Sequence, residues 1–402
     1  MASRTLKFIT YSPYIGIYFL QGAATAFVAG FQKPYLTQAG VSPEAIGALT
    51  AAFFLPFILK IFISHLSDKS RARGQGSRKL WIQAGLVATA VGFGLCGLFS
   101  PAKQFATYVV GALLSSLGMA TCDSVTDGLA VETTPVEDEG FVQSSMFAGR
   151  ALGAILFSPL LGYLISHNGY PASFVALTCA ALLPLAVLRA LPAEPPLAAA
   201  QSVAWRSVGK TFASWKFFSF CAYTILFSFM IYGSEGILTL FLKRSFLSSE
   251  ETLGRFGGWK SLGTLIGAVT AGYAHTRLKI GRVALWGMAS LAIGSFIMSQ
   301  ITQESTLLAL ATPWGFLSGF ATTGFVSLAM HLTPTALAAT IFSLFMAIAN
   351  VGGAMGEGFS ARWAIERGFH DLYIFYAGVA ALAALILLLA LRHISPKKSA
   401  HA

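Results

Sequence analysis

The sequence predicts an all-α integral membrane protein with about twelve transmembrane helices in two pseudo-symmetric six-helix bundles. Of its 402 residues, 55% are hydrophobic and 11% are charged, whereas about a quarter of the residues in a soluble domain are charged. Apolar runs of about 20 residues, long enough to cross a hydrocarbon core of about 30 Å, recur along the whole chain. We place these spans near residues 12–32, 43–64, 80–99, 105–131, 141–166, 171–191, 217–242, 252–275, 282–301, 304–331, 335–361 and 371–392.

The longest polar connection divides these spans into two sets of six. It is the stretch "ALPAEPPLAAAQSVAWRSVGKTFASW", whose Pro- and Ala-rich composition is typical of a boundary between domains. We therefore predict an N-terminal bundle over residues 1–191, a cytoplasmic linker over 192–216, and a C-terminal bundle with a short basic tail over 217–402. A faint repeat at an offset of 200 residues supports the division; it matches Met146, Gly153 and Ala154 with Met346, Gly353 and Ala354.

The basic residues follow the predicted topology. With an even number of spans and a cytoplasmic N-terminus, seventeen Lys and Arg residues fall on the inner side and six in the outer loops. This asymmetry is the positive-inside rule of membrane proteins. It accounts for the net charge of +11 without a nucleic-acid partner, and it predicts that both termini are cytoplasmic.

Searches for enzymatic and metal signatures find no motif in a usable context. The sequence has no Walker GxxxxGK[ST], HExxH or GxSxG motif, so neither a primary pump nor a membrane hydrolase is indicated. Its four cysteines fall inside predicted spans without CxxC or metal-ligand spacing. We therefore expect no catalytic residues, no metal and no cofactor. The first apolar run lacks a cleavage site, which predicts a retained helix rather than a signal peptide.

Acidic residues inside the fourth predicted span point to function. A charge within a span costs about 2.5 to 3.5 kcal/mol on insertion scales and marks a functional site or a partner. In "DSVTDGLAV", Asp123 and Asp127 are four residues apart and therefore share one helix face. Asp123 lies 13 residues before the centre of the following turn at Val136, and Arg150 lies 14 residues after it. We expect Asp123 and Arg150 to meet at similar depth on antiparallel helices.

The second half repeats this arrangement around an outer turn. Glu235 lies 12 residues before Leu247 and Lys260 lies 13 residues after it, so we expect a second buried acid-base pair. Lys60, near the inner end of the second predicted span, is at about the depth of Asp127 and is a third candidate partner.

Two interpretations of these charges remain open. In the functional one, Asp123, Asp127 and Glu235 carry protons, while Arg150 and Lys260 bind an anionic group of the substrate. Opposite charge lowers the pKa of a carboxylate and removal from water raises it, so breaking an ion pair is a physical switch for proton uptake. In the structural one, the pairs are neutral clasps between helices that never titrate.

The repeat favours the functional interpretation for the N-terminal half, because the matching positions of the second half are uncharged. At an offset of 199 residues, the second half has Thr322 and Val326 in place of Asp123 and Asp127, and at the offset of 200 it has Asn350 in place of Arg150.

Uncharged polar residues at mid-span complete the candidate cavity. Gln21 in the first span and Asn350 in the eleventh are assigned to substrate binding, although a lone amide in a helical bundle is also a common contact between helices. Glu357, near the outer end of the eleventh span, is expected to pair with Arg362.

A charged cluster in the inner loops suggests a gate. We assign Lys60, Asp68, Lys69, Arg78 and Lys79 to gating, and the last four lie opposite the acidic turn of Glu137, Asp138 and Glu139. The hypothesis is a cytoplasmic latch that forms when the protein faces outward. A solvated ion network is the alternative, because exposed ion pairs contribute little.

Two six-helix bundles with basic inner loops and a mid-chain linker resemble the major facilitator superfamily over the whole chain. Within it, the N-terminal half resembles the AmpG-like group of muropeptide permeases, acetyl-CoA carriers and siderophore importers. The resemblance rests on "LKIFISHLSDKSRARGQGSRKLW" and on Asp123, Val125, Asp127, Pro135, Glu137, Asp138, Gly140, Arg150 and Gly153. It implies a carrier whose substrate site lies between the halves near the midplane. The second half has no diagnostic motif, and the fifth span, "GRALGAILFSPLLG", lacks the antiporter signature GxxxGPxxGG, which favours symport.

These observations predict a proton-coupled importer in a bacterial inner membrane. Its expected substrate is a bulky anionic organic solute of muropeptide or ferric-siderophore type, and its expected partners are that solute, protons and the lipid bilayer. A monomer is expected for this fold. Two alternatives remain: a lipid or drug exporter, and a non-transporting membrane receptor or assembly factor.

Overall fold

The computed structural model describes residues 2–72, 74, 76–134, 139–191, 215–332 and 338–393, and these residues form helices without strands. The first six spans are span 1 (Ala2–Gly30 and Gln32–Gln38), span 2 (Pro43–Ala52, Leu55–Ile58 and Lys60–Ala72), span 3 (Arg78–Leu98), span 4 (Pro101–Thr133), span 5 (Glu139–Asn168) and span 6 (Tyr170–Leu182, then 3-10 turns to Ala190). The second six are span 7 (Trp215–Glu235 and Leu238–Phe246), span 8 (Glu250–Arg277), span 9 (Ile280–Met298), span 10 (Glu304–Ala309 and Ala311–Leu332), span 11 (Ala338–Arg367) and span 12 (Phe369–His393).

Most of these spans are apolar enough to cross a membrane by themselves. Among the described residues, eight helices meet that condition, and the bent pair of span 1 makes a ninth. Spans 2, 8 and 11 complete the twelve. Span 2 is divided into short helices, and spans 8 and 11 contain buried or partly buried charges that lower their hydropathy. The predicted all-α membrane fold is confirmed.

The helix contacts repeat with an offset of six spans. Span 1 packs on span 5 as span 7 packs on span 11, and span 3 packs on spans 4 and 6 as span 9 packs on spans 10 and 12. The largest contacts between the halves join span 5 to span 8 and span 2 to span 11. The predicted linker lies outside the described residues, except that its last two residues begin span 7.

Glycines allow the closest helix crossings. A Cβ atom added to Gly22 of span 1 would lie 2.0 Å from the carbonyl oxygen of Arg150 in span 5. A Cβ atom on Gly153 would lie 2.1 Å from the carbonyl oxygen of Phe19. Spans 1 and 5 therefore touch through their backbones, as membrane helices with small residues at their interface do.

Span 7 is interrupted between Glu235 and Leu238, and side chains from other spans bind the carbonyl groups near the break. The hydroxyl group of Tyr373 donates to the carbonyl oxygen of Ser234 at 2.9 Å, and Lys33 Nζ donates to that of Gly236 at 2.8 Å. Irregular backbone at membrane depth needs such partners, because lipid offers none.

The two halves meet on one side of the bundle. We call the face where Ala2 and His393 lie the terminal face, and the other the opposite face. Near the opposite face, Gln38 of span 1 donates to Glu250 of span 8 at 3.1 Å, and Thr239 of span 7 donates to the carbonyl oxygen of Ala29 at 3.2 Å. These bonds between halves close the opposite face. The sequence predicts that this face is periplasmic.

Candidate functional site

Three spans of the N-terminal half bring two acids and two bases together. Span 4 supplies Asp123 and Asp127, while Lys60 comes from span 2 and Arg150 from span 5. Lys60 begins the last helix of span 2, directly after the interruption near Pro56, whose ring cannot continue a regular helical ladder. The short contacts of Gly22 and Gly153 hold spans 1 and 5 close enough for Arg150 to reach the cluster.

Asp123 is the centre of this cluster. Its Oδ1 atom accepts a hydrogen bond from Gln21 Nε2 at 3.1 Å and lies 3.7 Å from a terminal guanidinium nitrogen of Arg150. Its Oδ2 atom lies 3.5 Å from Lys60 Nζ. The structure thus brings Asp123 and Arg150 together, as predicted from their similar sequence distances to the turn near Val136. Their roles in transport remain a prediction.

Gln21 connects the acid to the base. Arg150 Nε donates to Gln21 Oε1 at 2.9 Å while the amide nitrogen of the same Gln21 donates to Asp123. The Arg150 guanidinium group also lies 5.3 Å from the centre of the Tyr18 ring, within the range of a cation–π contact. Gln21, predicted as a substrate contact, is therefore bonded to both charged partners in this conformation.

Asp127 has a different environment from Asp123. It accepts a hydrogen bond from the Tyr18 hydroxyl group and lies 4.0 Å from Lys60 Nζ. The Asp127 side chain is 43% exposed, whereas that of Asp123 is 10% exposed. Lys60 is closer to Asp123 than to Asp127, so the predicted third partnership is shared between the two acids.

The cluster has a buried part and an accessible part. Lys60 and Asp123 are mostly covered, and the side chain of Arg150 is 49% exposed. Two cations and two carboxylates balance in charge, which limits the cost of holding them inside the membrane. The exposed Arg150 leaves part of a guanidinium group free to meet an anion.

The C-terminal half contains the second predicted pair. Lys260 Nζ lies 2.8 Å from Glu235 Oε2, and Ser318 of span 10 donates to the other carboxylate oxygen. Both charged side chains line a pocket between the halves, to which the N-terminal half contributes Thr25 and Ala154. Residues of both halves therefore line this pocket.

The predicted cytoplasmic latch is only partly within the described residues. Glu137 and Asp138 lie outside them, and the side chains of Asp68 and Glu139 are not described. Lys69 is exposed, and Lys79 Nζ donates to the carbonyl oxygen of Leu191 at 2.7 Å.

Arg78, another predicted gating residue, is buried. Its guanidinium group covers Gly128 of span 4, where a Cβ atom would lie 2.5 Å from a guanidinium nitrogen. This contact places Arg78 beside Gly128, the residue that directly follows Asp127 in span 4, and the latch itself remains a prediction.

Asn350 and Glu357 of span 11 both bind residues of the N-terminal half. Asn350 Nδ2 donates to the carbonyl oxygen of Phe57, at the interruption of span 2, at 3.1 Å, so its amide joins the halves in this conformation. The expected pairing of Glu357 with Arg362 is wrong. Glu357 is buried against Lys33, while Arg362 pairs with Glu366 one turn away on the exposed surface.

Sequence reasoning missed Tyr18, Ser318 and Lys33. Tyr18 lies three residues before Gln21 and hence on the same helix face, which is the one signal that was present. The first predicted span, near residues 12–32, ends just before Lys33, but the chain bends there and the helix continues to Gln38. Among the described residues, no group of three or more His, Cys, Asp or Glu side chains is placed to hold a metal ion.

The sequence pattern of the Major Facilitator Superfamily matches residues 14–357. The chain belongs to this superfamily, and it is a multi-pass membrane transporter. Its match to the anhydromuropeptide permease of Escherichia coli has 25% identity over 395 residues and covers 93% of this chain and 78% of the permease. A folate-biopterin transporter of Synechocystis sp. is 27% identical over 366 residues, covering 85% of this chain and 72% of that protein.

Solved structures support the same fold. A D-xylose-proton symporter has a TM-score of 0.74 at 17% identity, covering 95% of this chain and 97% of the symporter. A bacterial homologue of the human lysosomal transporter Spinster, in an inward-facing unoccupied conformation, has a TM-score of 0.72 at 16% identity, covering 98% of this chain and 99% of that one. At these identities the likeness concerns the fold.

Proposed function

We propose that this transporter imports a bulky anionic organic solute together with protons, with a muropeptide or a ferric siderophore as the substrate type. The observation that carries the proposal is the half-exposed Arg150, held between Gln21 and the buried Asp123. An arginine that already has a carboxylate partner can exchange it for a carboxylate of the solute, because both bind the same planar donor group.

The cluster suggests how substrate and proton are coupled. An anionic group of the solute displaces Asp123 from Arg150, and the released carboxylate takes up a proton because it has lost a nearby positive charge. Asp127, close to the same cluster and more exposed, provides the route by which the proton arrives. The loaded, protonated carrier then reorients and releases both on the cytoplasmic side. Glu235 and Lys260 contact the solute from the C-terminal half.

The relatives support the substrate class without fixing the solute. One related protein is named as a permease for anhydromuropeptides and another as a carrier of folate and biopterin. Anhydromuropeptides and folates carry carboxylate groups, which suits a site with Arg150 and Lys260. The buried charges argue against a lipid exporter, for which a cavity with few charges is expected.

The first test is uptake into proteoliposomes under an imposed inward proton gradient. An anhydromuropeptide, a ferric siderophore, acetyl-CoA and folate, each labelled, are compared side by side with empty liposomes. We expect one of them to accumulate in a gradient-dependent way. If none accumulates in folded, correctly oriented protein, the import proposal is lost and the exporter and receptor alternatives take its place.

The second test separates coupling from structure. Asp123→Asn should abolish accumulation of the solute driven by the proton gradient, because the carrier loses the carboxylate that takes up the proton. Solute exchange across the membrane should continue, because the fold is kept. Loss of exchange together with accumulation would indicate a structural role for Asp123.

A further inference from the structure

A group of exposed cations lies at the terminal face of the C-terminal half, where span 8 turns into span 9. Span 8 ends at Arg277, and span 9 begins only three residues later. Arg277, Lys279 and Arg282 are all exposed. Because so short a link joins the two helices, the three cations lie around one turn of the chain. We call Arg277, Lys279 and Arg282 the basic turn.

The outer side of span 8 faces lipid. Its exposed apolar residues recur at the spacing of one helix face, and they are Trp259, Ile266, Val269 and Tyr273. This face is on the other side of the helix from Gly257 and Ser261, which line the pocket between the halves. Arg277 lies one turn after Tyr273 and hence on the same lipid-facing side. The apolar face therefore ends, at the terminal face, in a cation.

Span 9 has the same arrangement in the opposite chain direction. Its buried side packs on spans 10 and 12, and its exposed side carries apolar residues at Trp286, Ala289, Ile293 and Phe296. Arg282 lies one turn before Trp286 on the same side. Each helix thus presents an aromatic ring to lipid, with an arginine one turn closer to the terminal face. Aromatic rings in such positions are typical of the boundary between hydrocarbon and head groups.

The Tyr273 side chain orients the Arg277 guanidinium group. A terminal guanidinium nitrogen of Arg277 donates to the Tyr273 hydroxyl group at 3.0 Å, and the guanidinium carbon lies 5.6 Å from the centre of the ring. The second distance is within the range of a cation–π contact. Neither contact supplies a negative charge, and a guanidinium group has five N–H donors. Arg277 is therefore held at the lipid-facing side with its charge uncompensated and most of its donors available.

Within the described residues, no carboxylate pairs with the basic turn. The sequence has no Asp or Glu between Glu251 and Glu304, between Glu304 and Glu357, or after Asp371. These stretches include the parts of spans 8 to 12 that lie at the terminal face. The equivalent loop of the N-terminal half, between spans 2 and 3, differs because it contains Asp68. An anion that neutralises the basic turn must therefore come from outside the C-terminal half.

We propose that the basic turn binds the head group of an anionic phospholipid in the leaflet at the terminal face. The acyl chains pack along the lipid-facing sides of spans 8 and 9, while the three cations donate to the phosphate oxygens. Arginine suits this role because its planar fork binds a phosphate group through two hydrogen bonds. A zwitterionic lipid gains less, since its own ammonium group is repelled by the three cations. Lipid binding at this surface is independent of the proposed substrate and of proton coupling.

Native mass spectrometry of the full-length protein in detergent tests the proposal, because it counts the lipid molecules bound to each protein. The protein is titrated with dioctanoyl phosphatidylglycerol, with dioctanoyl phosphatidylcholine, and with glycerol 3-phosphate, which carries the phosphate group without acyl chains. Each cation near an anionic lipid surface contributes about fivefold to binding. In the parent protein we therefore expect phosphatidylglycerol to bind at least about tenfold more tightly than phosphatidylcholine, and glycerol 3-phosphate to bind weakly.

Variants of the turn separate this site from a general attraction to the terminal face. Arg277→Gln with Arg282→Gln should weaken phosphatidylglycerol binding about 25-fold, because two of the three cations are lost, and should change phosphatidylcholine binding much less. The control Lys69→Gln with Arg189→Gln removes two exposed cations from the terminal face of the N-terminal half and should bind phosphatidylglycerol as the parent does. Tyr273→Leu keeps every charge but removes the group that orients Arg277, so it should weaken phosphatidylglycerol binding severalfold.

Three results would overturn the proposal. The first is equal binding of phosphatidylglycerol and phosphatidylcholine by the parent protein, and the second is undiminished phosphatidylglycerol binding in Arg277→Gln with Arg282→Gln. An equal loss of binding in the control variant would also overturn it, because the attraction would then belong to the whole terminal face. Glycerol 3-phosphate that binds as tightly as phosphatidylglycerol would identify a soluble anion as the ligand and refute the lipid. If the double arginine variant does not fold, the same titration of Tyr273→Leu decides the question.

Discussion

Gln21 shows how one uncharged side chain can join the residues of a transport site. Its amide accepts from Arg150 Nε at 2.9 Å and donates to Asp123 Oδ1 at 3.1 Å, whereas the direct distance between the two charged groups is 3.7 Å. Any movement of Arg150 toward a solute therefore disturbs the environment of Asp123 through this amide. We expect Gln21 to position the pair in addition to any contact with the solute.

The variant Gln21→Leu tests this role. It removes two hydrogen bonds to charged groups, each of which contributes about 1.5 to 3 kcal/mol, so we expect accumulation to fall about tenfold or more while the protein remains folded. Initial uptake rates in proteoliposomes at several proton gradients provide the measurement. Gln300→Leu is the matched control, because Gln300 is exposed and its side chain donates to the hydroxyl group of the neighbouring Ser299. Equal rates for the two variants would contradict the positioning role.

Arg150 offers a test of geometry at constant charge. Its Nε atom binds Gln21 while a terminal nitrogen approaches Asp123, and a lysine ammonium group on a flexible stem does not reproduce that fork. We expect Arg150→Lys to lose most of its solute binding, measured as an increase in Kd or in the KM of uptake. Arg255→Lys, in an exposed pair with Glu251 one turn away, should leave both constants unchanged. A normal KM in Arg150→Lys would show that charge alone is sufficient.

At the scale of helices, the position of the cluster depends on the close crossing of spans 1 and 5. Gly153 lies one turn from Arg150, and a side chain there would collide with the backbone of span 1 at Phe19. The crossing thus sets the distance between Gln21 and Arg150. The sequence hints at this only through the small residues of "GRALGA", since small residues also occur at helix contacts with no function.

The variant Gly153→Leu should separate spans 1 and 5. Overpacking of a tight contact costs about 1 to 3 kcal/mol, and the displacement should also abolish uptake, because Arg150 is carried away from Gln21. Thermal unfolding in detergent and uptake measure the two effects. Gly94→Leu in span 3 is the control, since a Cβ atom there meets nothing within 4 Å. If Gly153→Leu transports normally, the crossing is not needed for the site.

Contacts between consecutive helices could be predicted from the sequence, and contacts between distant helices could not. Counting from the turns near Val136 and Leu247 correctly pairs Asp123 with Arg150 and Glu235 with Lys260, because antiparallel neighbours must have matching depth. No such count relates span 1 to span 11. The pairing of Lys33 with Glu357 was therefore missed, and so was the helix beyond the bend that carries Lys33 inward.

At the scale of the whole molecule, several of the described contacts between the halves close the opposite face. His167 of span 5 lies 3.7 Å from Glu251 of span 8, and Gln38 of span 1 donates to Glu250 at 3.1 Å. Carriers of this architecture rock one half against the other around a central site. A covalent link at the closed face should therefore trap one state and stop the transport cycle.

The trap uses Gln38→Cys with Glu250→Cys, the four native cysteines being replaced, and a short bifunctional thiol reagent whose linkage is cleaved by reduction. The side chains of these residues touch across the halves, so we expect cross-linking without solute and a loss of uptake in proportion to the linked fraction. Reduction should restore uptake to the level of the unlinked variant. The matched control, Arg362→Cys with Glu366→Cys, joins two exposed positions one turn apart on span 11, and linking it should not affect uptake. Undiminished uptake in fully linked Gln38→Cys with Glu250→Cys would mean that the opposite face need not open, and that the solute does not enter the carrier between the two halves at this face.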